Sequence, residues 1–92
     1  METDHFEWDD DKAARVLAAR AISFWDAARV FEDRRCLHLA DRDRPEERTK
    51  SIGLVDGRLL TVISADGFER RIAIITVWPS EKGETDAYYA QA

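Results

Sequence analysis

An Asp-Gly pair between two strand-like apolar segments is the feature that most constrains how this chain can fold. Asp56–Gly57 separates residues 48–54 from residues 59–64. An Asp-Gly pair favours the positive φ angles of a tight turn whose twist matches that of two antiparallel strands. The sequence therefore predicts a β-hairpin, and with it a sheet against which the rest of the chain must pack.

Further strand patterns extend this hairpin on both sides. Residues 36–40 alternate apolar and polar positions, and the polar residues 41–46 that follow predict an exposed loop. A second pair, Asp66–Gly67, predicts a turn into residues 70–77, whose nearly continuous apolar run is typical of a strand buried on both faces or against helices. We expect an antiparallel β-meander of three to four strands.

Two helices are predicted before the sheet. Three aspartates at residues 9–11 open an alanine-rich segment, and negative charge is favourable at a helix N-terminus, so a first helix is expected over residues 10–20. These aspartates are interpreted as a helix cap rather than a metal-binding loop. Ser23 is a good N-cap for a second helix. Apolar residues repeat there at helical spacing: Phe24, Ala27, Ala28 and Phe31.

A C-terminal helix is also possible. Pro79–Ser80 can begin a helix that reaches Tyr89, although Gly83 disfavours a helix interior by about 1 kcal/mol relative to alanine. The order of two helices, a sheet and a possible last helix is that of an α+β fold. Without repeats or linkers, residues 1–92 are expected to form a single domain.

Composition and charge restrict the class of protein. Hydrophobic residues make up 45% of the chain and charged residues 36%, as in a folded soluble protein. The net charge of -5 disfavours tight nonspecific binding to nucleic acid, which relies on Lys and Arg. No apolar run approaches the roughly 20 residues that span a bilayer. Cys36 has no second cysteine to pair with. We expect a cytoplasmic protein that is not bound to a membrane.

The first third of the chain carries a distinctive motif. Residues 6–9 read Phe-Glu-Trp-Asp and are followed two residues later by Lys12–Ala13. This resembles the FEWD-x-x-K-A start of the BrnT family of bacterial toxins. Residues 22–31 are similar to the V-S-F-x-E-A-x-x-V-F pattern of that family's second helix.

The likeness continues through the rest of the chain. Residues 47–53 resemble the family's E-R-x-x-x-I-G segment, and residues 57–62 resemble G-R-L-L-x-V. Residues 71–75 are similar to the R-I-R-I-I strand. Glu84 and Tyr88 match the E-x-x-x-Y of the family's terminal helix.

The resemblance implies a RelE-like fold and a toxin of a type II toxin–antitoxin system. Such a toxin is expected to be an endoribonuclease that stops translation by cutting RNA, with no metal and no other cofactor. A small DNA-binding antitoxin of the BrnA type is expected to neutralise it in a hetero-oligomer that contacts DNA only through the antitoxin.

Three departures from the family pattern favour an alternative. Ala73 stands where the family has an arginine, and the signature I-S-A-R-K-A reads Ile-Thr-Val-Trp-Pro-Ser over residues 75–80. The family's K-H-G reads Ala-Arg-Ala over residues 19–21. Trp78 and Pro79 thus replace two cations. The alternative is a catalytically degenerate relative that binds an antitoxin or another partner without cutting RNA.

RNA cleavage by attack of a 2′-hydroxyl needs a proton acceptor, a proton donor and cations that face the developing charge. The residues that fit these roles, and in part match the family motifs, are Arg71, Arg70, Glu84, Arg48, Arg58 and Tyr88. Each also has a simpler interpretation as a solvated or paired surface residue. Cys36 and His38 suggest packing rather than a metal site, and Trp25 is predicted to be exposed and available to an antitoxin.

Overall fold

The β-strands form one mixed sheet in the computed structural model, which describes residues 1–91. The strand order across the sheet is β1-β5-β4-β3-β2. The strands are β1 (Phe6–Glu7), β2 (Leu37–Ala40), β3 (Thr49–Val55), β4 (Arg58–Asp66) and β5 (Ile72–Pro79). The helices are α1 (Asp10–Arg20), α2 (Phe24–Arg29) and α3 (Lys82–Tyr89), with 3-10 turns at Val30–Glu32 and Phe68–Arg70. The prediction of an α+β fold is confirmed.

The hairpin at Asp56–Gly57 forms as predicted. Val55 pairs with Arg58, so two residues make the turn, and their φ angles are 51° and 81°. Both values lie in the left-handed region that a type I′ turn requires. From this turn β3 and β4 pair antiparallel, and β2 and β5 continue the antiparallel arrangement outward.

The sheet also contains a strand that the sequence did not indicate. β1 pairs parallel to β5, with Phe6 opposite Ile72 and Glu7 opposite Ala73. Strands β2 to β5 form an antiparallel meander of four strands, within the three to four that were predicted, but β1 makes the whole sheet five-stranded and mixed. Two residues are too few to show strand alternation, and their partner lies far along the chain, so no local pattern predicts the pair.

The connection at Asp66–Gly67 is longer than the predicted tight turn. Gly67 has a φ of -101°, and residues 67–71 loop out through the second 3-10 turn before β5 begins at Ile72. The backbone N–H of Phe68 donates to Glu7 Oε1 at 2.9 Å, which fixes this loop to β1. The loop conformation thus depends on a contact with the start of the chain.

Both N-terminal helices begin where the sequence predicts. The Asp9 carboxylate accepts hydrogen bonds from the backbone of Asp11 and Lys12, so the acidic run caps α1. Ser23 accepts from the backbone N–H of Asp26 and caps α2. The α-helical hydrogen bonding of α2 ends at Arg29, and the following 3-10 turn carries the apolar pattern on to Phe31.

The core lies between α1, α2 and one face of the sheet. It contains Phe24, Ala27 and Val30 from the second helical region, with Leu60, Val62 and Val77 from the sheet. Thr61 lies between Leu60 and Val62 on β4 and so faces the other side, where its hydroxyl contacts α3. The two helical layers therefore cover opposite faces of the sheet.

The C-terminal helix begins later than predicted. Pro79 is still part of β5, where it pairs with Leu60, and α3 starts at Lys82. Gly83 therefore lies in the first turn and not in the helix interior. Within residues 1–91, no helix is both long and apolar enough to cross a bilayer.

Candidate functional site

A carboxylate on α3 is surrounded by hydrogen-bond donors on the second face of the sheet. Glu84 Oε1 accepts from the Thr61 hydroxyl at 3.1 Å and from the Trp78 indole N–H at 3.0 Å. Glu84 Oε2 lies 3.1 Å from Lys50 Nζ. The Thr61 hydroxyl also lies 2.8 Å from that of Ser80. We call Lys50, Thr61, Trp78, Ser80 and Glu84 the sheet-face cluster.

Strand register brings these side chains together. Ile52 pairs with Thr61, and Thr61 pairs with Trp78, so three adjacent strands share one row. Lys50 precedes Ile52 by two residues and therefore faces the same side of β3. The turn into α3 adds Glu84, whose Oε1 also accepts from the backbone N–H of Glu81 at 2.8 Å. One carboxylate thus caps the helix and binds it to the sheet.

The Glu84 carboxylate is held in its ionised form. Its side chain is only 12% exposed. Burial raises the pKa of Glu84, but hydrogen bonds from Glu81, Trp78, Lys50 and Thr61 outweigh burial, and the pKa is lowered overall. The site therefore contains a largely buried anion next to a cation. Because little water screens them, both the charge attraction and the hydrogen bonds between them are stronger than at an exposed site.

A second cation, Arg20, lies at β5, on the same face of the sheet as Lys50 but two strands away. Lys50 pairs with Ile63, and Ile63 pairs with Thr76, so Lys50 and Thr76 lie two strands apart at roughly 10 Å. Arg20 Nη1 donates to Thr76 Oγ1 and to the Val77 carbonyl, both at 3.1 Å. Lys50 and Arg20 therefore lie at the two ends of this row, which is adjacent to the row that contains Thr61 and Trp78.

The arginines predicted from sequence do not meet at this cluster. Arg58 begins β4 at the hairpin and lies 3.6 Å from Asp26. Arg71 follows the loop at the other end of β4. Because β4 is roughly 26 Å long at 3.3 Å per residue, Arg58 and Arg71 lie at opposite ends of the sheet. Of the six predicted site residues, only Glu84 belongs to the sheet-face cluster.

Arg71 and its neighbours instead form contacts at the start of β5. Arg71 Nε donates to the Thr3 carbonyl at 2.8 Å, and its guanidinium lies 3.6 Å from Glu69. Arg70 is exposed and has a φ of 65°. Arg48 is half-buried just before β3, where its backbone N–H donates to the Arg44 carbonyl. Arg71 therefore helps to hold the N-terminal segment.

Tyr88 is one helical turn after Glu84 but is engaged elsewhere. Its ring is buried, and its hydroxyl donates to Asp33 Oδ2. Burial and the Asp33 carboxylate raise the pKa of Tyr88 to about 12. The Leu54 backbone N–H also donates to Asp33 Oδ2, at 2.8 Å. Tyr88 is thus a neutral phenol that links α3 to β3 through the Asp33 carboxylate.

Lys50, Thr61 and Arg20 were not predicted as site residues. Lys50 had a weak signal, because it occupies a strand position with the same facing as the apolar residues Ile52 and Leu54. A cation at such a position needs a buried partner. Thr61 and Arg20 have no comparable signal, since each depends on a contact between residues far apart in the chain.

Cys36 and His38 take part in packing. Burial, and then the nearby Asp33 charge, raise the pKa of the Cys36 thiol to about 11. His38 Nδ1 lies 2.7 Å from Ser51 Oγ, and its ring stacks on Phe31. No group of three or more His, Cys, Asp or Glu side chains in residues 1–91 is placed to hold a metal ion.

Trp25 is exposed, as the sequence predicted. Half of its surface is accessible (52%), and its ring meets that of Trp8 edge-on at 4.9 Å. It borders a groove of about 630 Å³ between the N-terminal segment and α2. The walls of the groove are largely apolar and include Phe6 and Phe31. This second feature is separate from the sheet-face cluster.

The fold is that of a solved bacterial ribonuclease toxin. The structure is similar to the crystal structure of the Brucella abortus ribonuclease toxin BrnT, with a TM-score of 0.69 and 18% sequence identity. The match covers 87% of this chain and 100% of the Brucella chain. The model of the BrnT family, ribonuclease toxins of type II toxin–antitoxin systems, matches residues 8–84, so this chain belongs to the BrnT family. A sequence comparison with curated proteins gave no significant match.

Proposed function

We propose that this chain is an endoribonuclease toxin that cuts RNA without a metal ion, by the route expected of RelE-like toxins, at the sheet-face cluster. The observation that supports this placement is the ion pair between Lys50 and Glu84, 3.1 Å apart on the second face of the sheet. It combines a carboxylate and a cation, and Arg20 adds a second cation on the same side.

The proposed reaction forms a bond between the 2′-oxygen of a nucleotide and the adjacent phosphorus, and the bond to the 5′-oxygen breaks. Glu84 takes the proton of the 2′-hydroxyl as its carboxylate exchanges the Lys50 contact for the substrate. Lys50 then faces the non-bridging phosphate oxygens, where negative charge develops. The leaving 5′-oxygen takes a proton from solvent, and the product ends in a cyclic phosphate.

The same contacts limit the rate. The donors that keep Glu84 ionised lower its pKa, and a carboxylate with a lowered pKa is a weaker base. Trp78 donates a neutral N–H where the resemblance places an arginine. Loss of one electrostatic group of this kind typically costs about 10²-fold in rate. We therefore expect slow cleavage.

The groove beside Trp25 is the proposed docking surface for the antitoxin. Its apolar walls and exposed indole suit an apolar segment of a partner protein. We propose a BrnA-like DNA-binding antitoxin that binds here in the cytoplasm and forms a hetero-oligomer, with DNA contacted only through the antitoxin. Trp25→Asp is expected to weaken this complex, measured by calorimetry, while RNA cleavage by the free toxin is unchanged.

The test of the activity is incubation of the purified protein with RNA in the presence of EDTA. Fragments ending in a cyclic phosphate are expected, and Lys50→Met should reduce their rate of formation by about 10²-fold. Lys82→Met is the matched control, because it removes the same charge from an exposed side chain (89% accessible) on α3. RNA that stays intact with the unaltered protein would contradict the proposal.

A second candidate is a relative that binds an antitoxin without cutting RNA. The observation that favours it is that Glu84 is already satisfied by donors from the chain itself: Thr61, Trp78, Lys50 and Glu81. Such a protein would bind the antitoxin normally and be harmless when expressed alone. Growth arrest that Lys50→Met abolishes would exclude this candidate.

A further inference from the structure

We propose that a pocket beside Lys50 binds a nucleobase that carries an exocyclic amino group; this deepens the proposed function and rests on it. The pocket has a volume of about 310 Å³ and lies between β2, β3 and the start of α3. Leu39, Ile52 and Ala87 line its apolar part. Lys50 and Glu84 also line it, so the pocket adjoins the proposed reaction centre directly.

The size of the pocket suits a single base. Small-molecule pockets begin at about 300 Å³, and a helix or a strand of a partner protein needs an extended groove. Leu39 is 41% exposed on the edge strand β2 and offers an apolar surface to one face of a base. A flat ring with polar edges fits between this surface and α3.

The charges around the pocket match the two ends of a nucleotide. The Lys50 ammonium is the cation for the phosphate. The carboxylate of Glu81 accepts the backbone N–H of Glu84 in the capping box of α3, and its second oxygen is an acceptor for an amino group on the base edge. Glutamate accepts from the N4 amino group of cytosine, whereas uracil has a carbonyl oxygen at that position. The pocket therefore prefers cytosine to uracil.

Gly83 gives direct experimental access to the pocket. It lines the pocket in the first turn of α3, and a Cβ atom added there meets no atom within 4 Å. The side chain of a leucine at this position therefore begins in open space at the wall of the pocket. Gly83→Leu is therefore the variant chosen to block the pocket. Ala90→Leu, at the exposed C-cap of α3, is its matched control.

The experiment is an NMR titration of the isotopically labelled protein with cytidine 3′-monophosphate, uridine 3′-monophosphate and inorganic phosphate. We expect amide shifts at Leu39, Gly83 and Ala87 with the cytidine compound, which should bind about fivefold more tightly than the uridine compound. Gly83→Leu should abolish these shifts, and Ala90→Leu should retain them. Glu81→Gln should remove the preference for cytosine.

Several outcomes would overturn the proposal. Equal affinity for both nucleotides would remove the role of Glu81, and the same shifts with inorganic phosphate would show that only the phosphate is bound. Unchanged nucleotide binding by Gly83→Leu would place the base elsewhere. Nucleotide binding without RNA cleavage would leave the pocket standing and contradict only the proposed activity, so the two failures are distinguishable.

Discussion

The indole N–H of Trp78 donates to Glu84 Oε1 at 3.0 Å and so joins the last strand to the last helix. The resemblance to the BrnT family places an arginine at this position. A neutral donor here satisfies the carboxylate but adds no positive charge for a phosphate. Trp78 thus keeps the contact between β5 and α3 but lacks the positive charge of the family's arginine.

Trp78→Arg is expected to raise the rate of RNA cleavage by about 10- to 100-fold, because it adds a cation where charge develops in the reaction. Trp78→Gln is the control, since glutamine retains an N–H donor without the charge. Fragment formation from a labelled RNA measures both. Equal rates for the two variants would show that charge at residue 78 does not limit the reaction.

Tyr88→Phe is expected to lower the free energy of unfolding by about 1 to 3 kcal/mol. The change removes the hydrogen bond to Asp33 and leaves a poorly solvated carboxylate with one donor fewer. Tyr89→Phe is the control, because Tyr89 is 62% exposed. Urea unfolding measures both, and a loss of similar size in the two variants would contradict the role assigned to the Asp33 contact.

Acid should destabilise the protein through Asp33 and Glu84. The pKa of each carboxyl is lowered in the folded state from the ordinary values of 3.8 and 4.5. For both, burial acts to raise the pKa, and the hydrogen bonds that they accept outweigh it. A group with a lowered folded pKa stabilises the fold above its unfolded pKa and loses that effect as pH falls through the folded pKa.

The contributions of Asp33 and Glu84 to the free energy of unfolding should therefore be nearly constant between neutrality and about pH 5. They should decrease as the pH falls below about 4.5. Glu84→Gln should make this fall shallower, as urea unfolding at several pH values will measure. Glu46→Gln, in the exposed loop before β3, is the control. If the unfolding free energy of the two variants depends on pH in the same way, Glu84 does not contribute to the acid destabilisation.

Alanine at two glycine positions should have opposite effects. A Cβ atom at Gly53 would lie 2.8 Å from the Val30 carbonyl oxygen and 3.0 Å from Val30 Cγ1, so Gly53→Ala should cost about 1 to 3 kcal/mol in unfolding free energy. A Cβ atom at Gly83 meets no atom within 4 Å, and Gly83→Ala should stabilise α3 by less than the roughly 1 kcal/mol of an interior position, because Gly83 lies in the first turn. In urea unfolding, stabilisation by Gly53→Ala would contradict the packing around Gly53, and destabilisation by Gly83→Ala would contradict the open space at Gly83.

Most of the fold was predictable where the signal was local. The hairpin at Asp56–Gly57, the caps at Asp9 and Ser23 and the α+β order all depend on neighbours within a few residues. The connection after Asp66 was not predictable in the same way. Its path depends on the contact between Phe68 and Glu7, which no nearby sequence pattern records.

The candidate site was less predictable than the fold. The family resemblance pointed to Glu84, and the structure shows the donors around it. The arginines chosen with it lie elsewhere, because residue type alone does not say which strand end a side chain occupies. Lys50 emerged only when strand register placed it beside Glu84.

The sequence by itself determined the hairpin and the two N-terminal helices, because turn residues, helix caps and apolar periodicity act over short distances. The family was recognised separately, from the resemblance of its motifs. Only the tertiary structure decided that β1 joins β5 in parallel and that Lys50, Thr61, Trp78 and Glu84 meet. Pairing between distant segments is set by the packing of a whole core and by the register of adjacent strands. For this protein, that long-range register is what creates the proposed site.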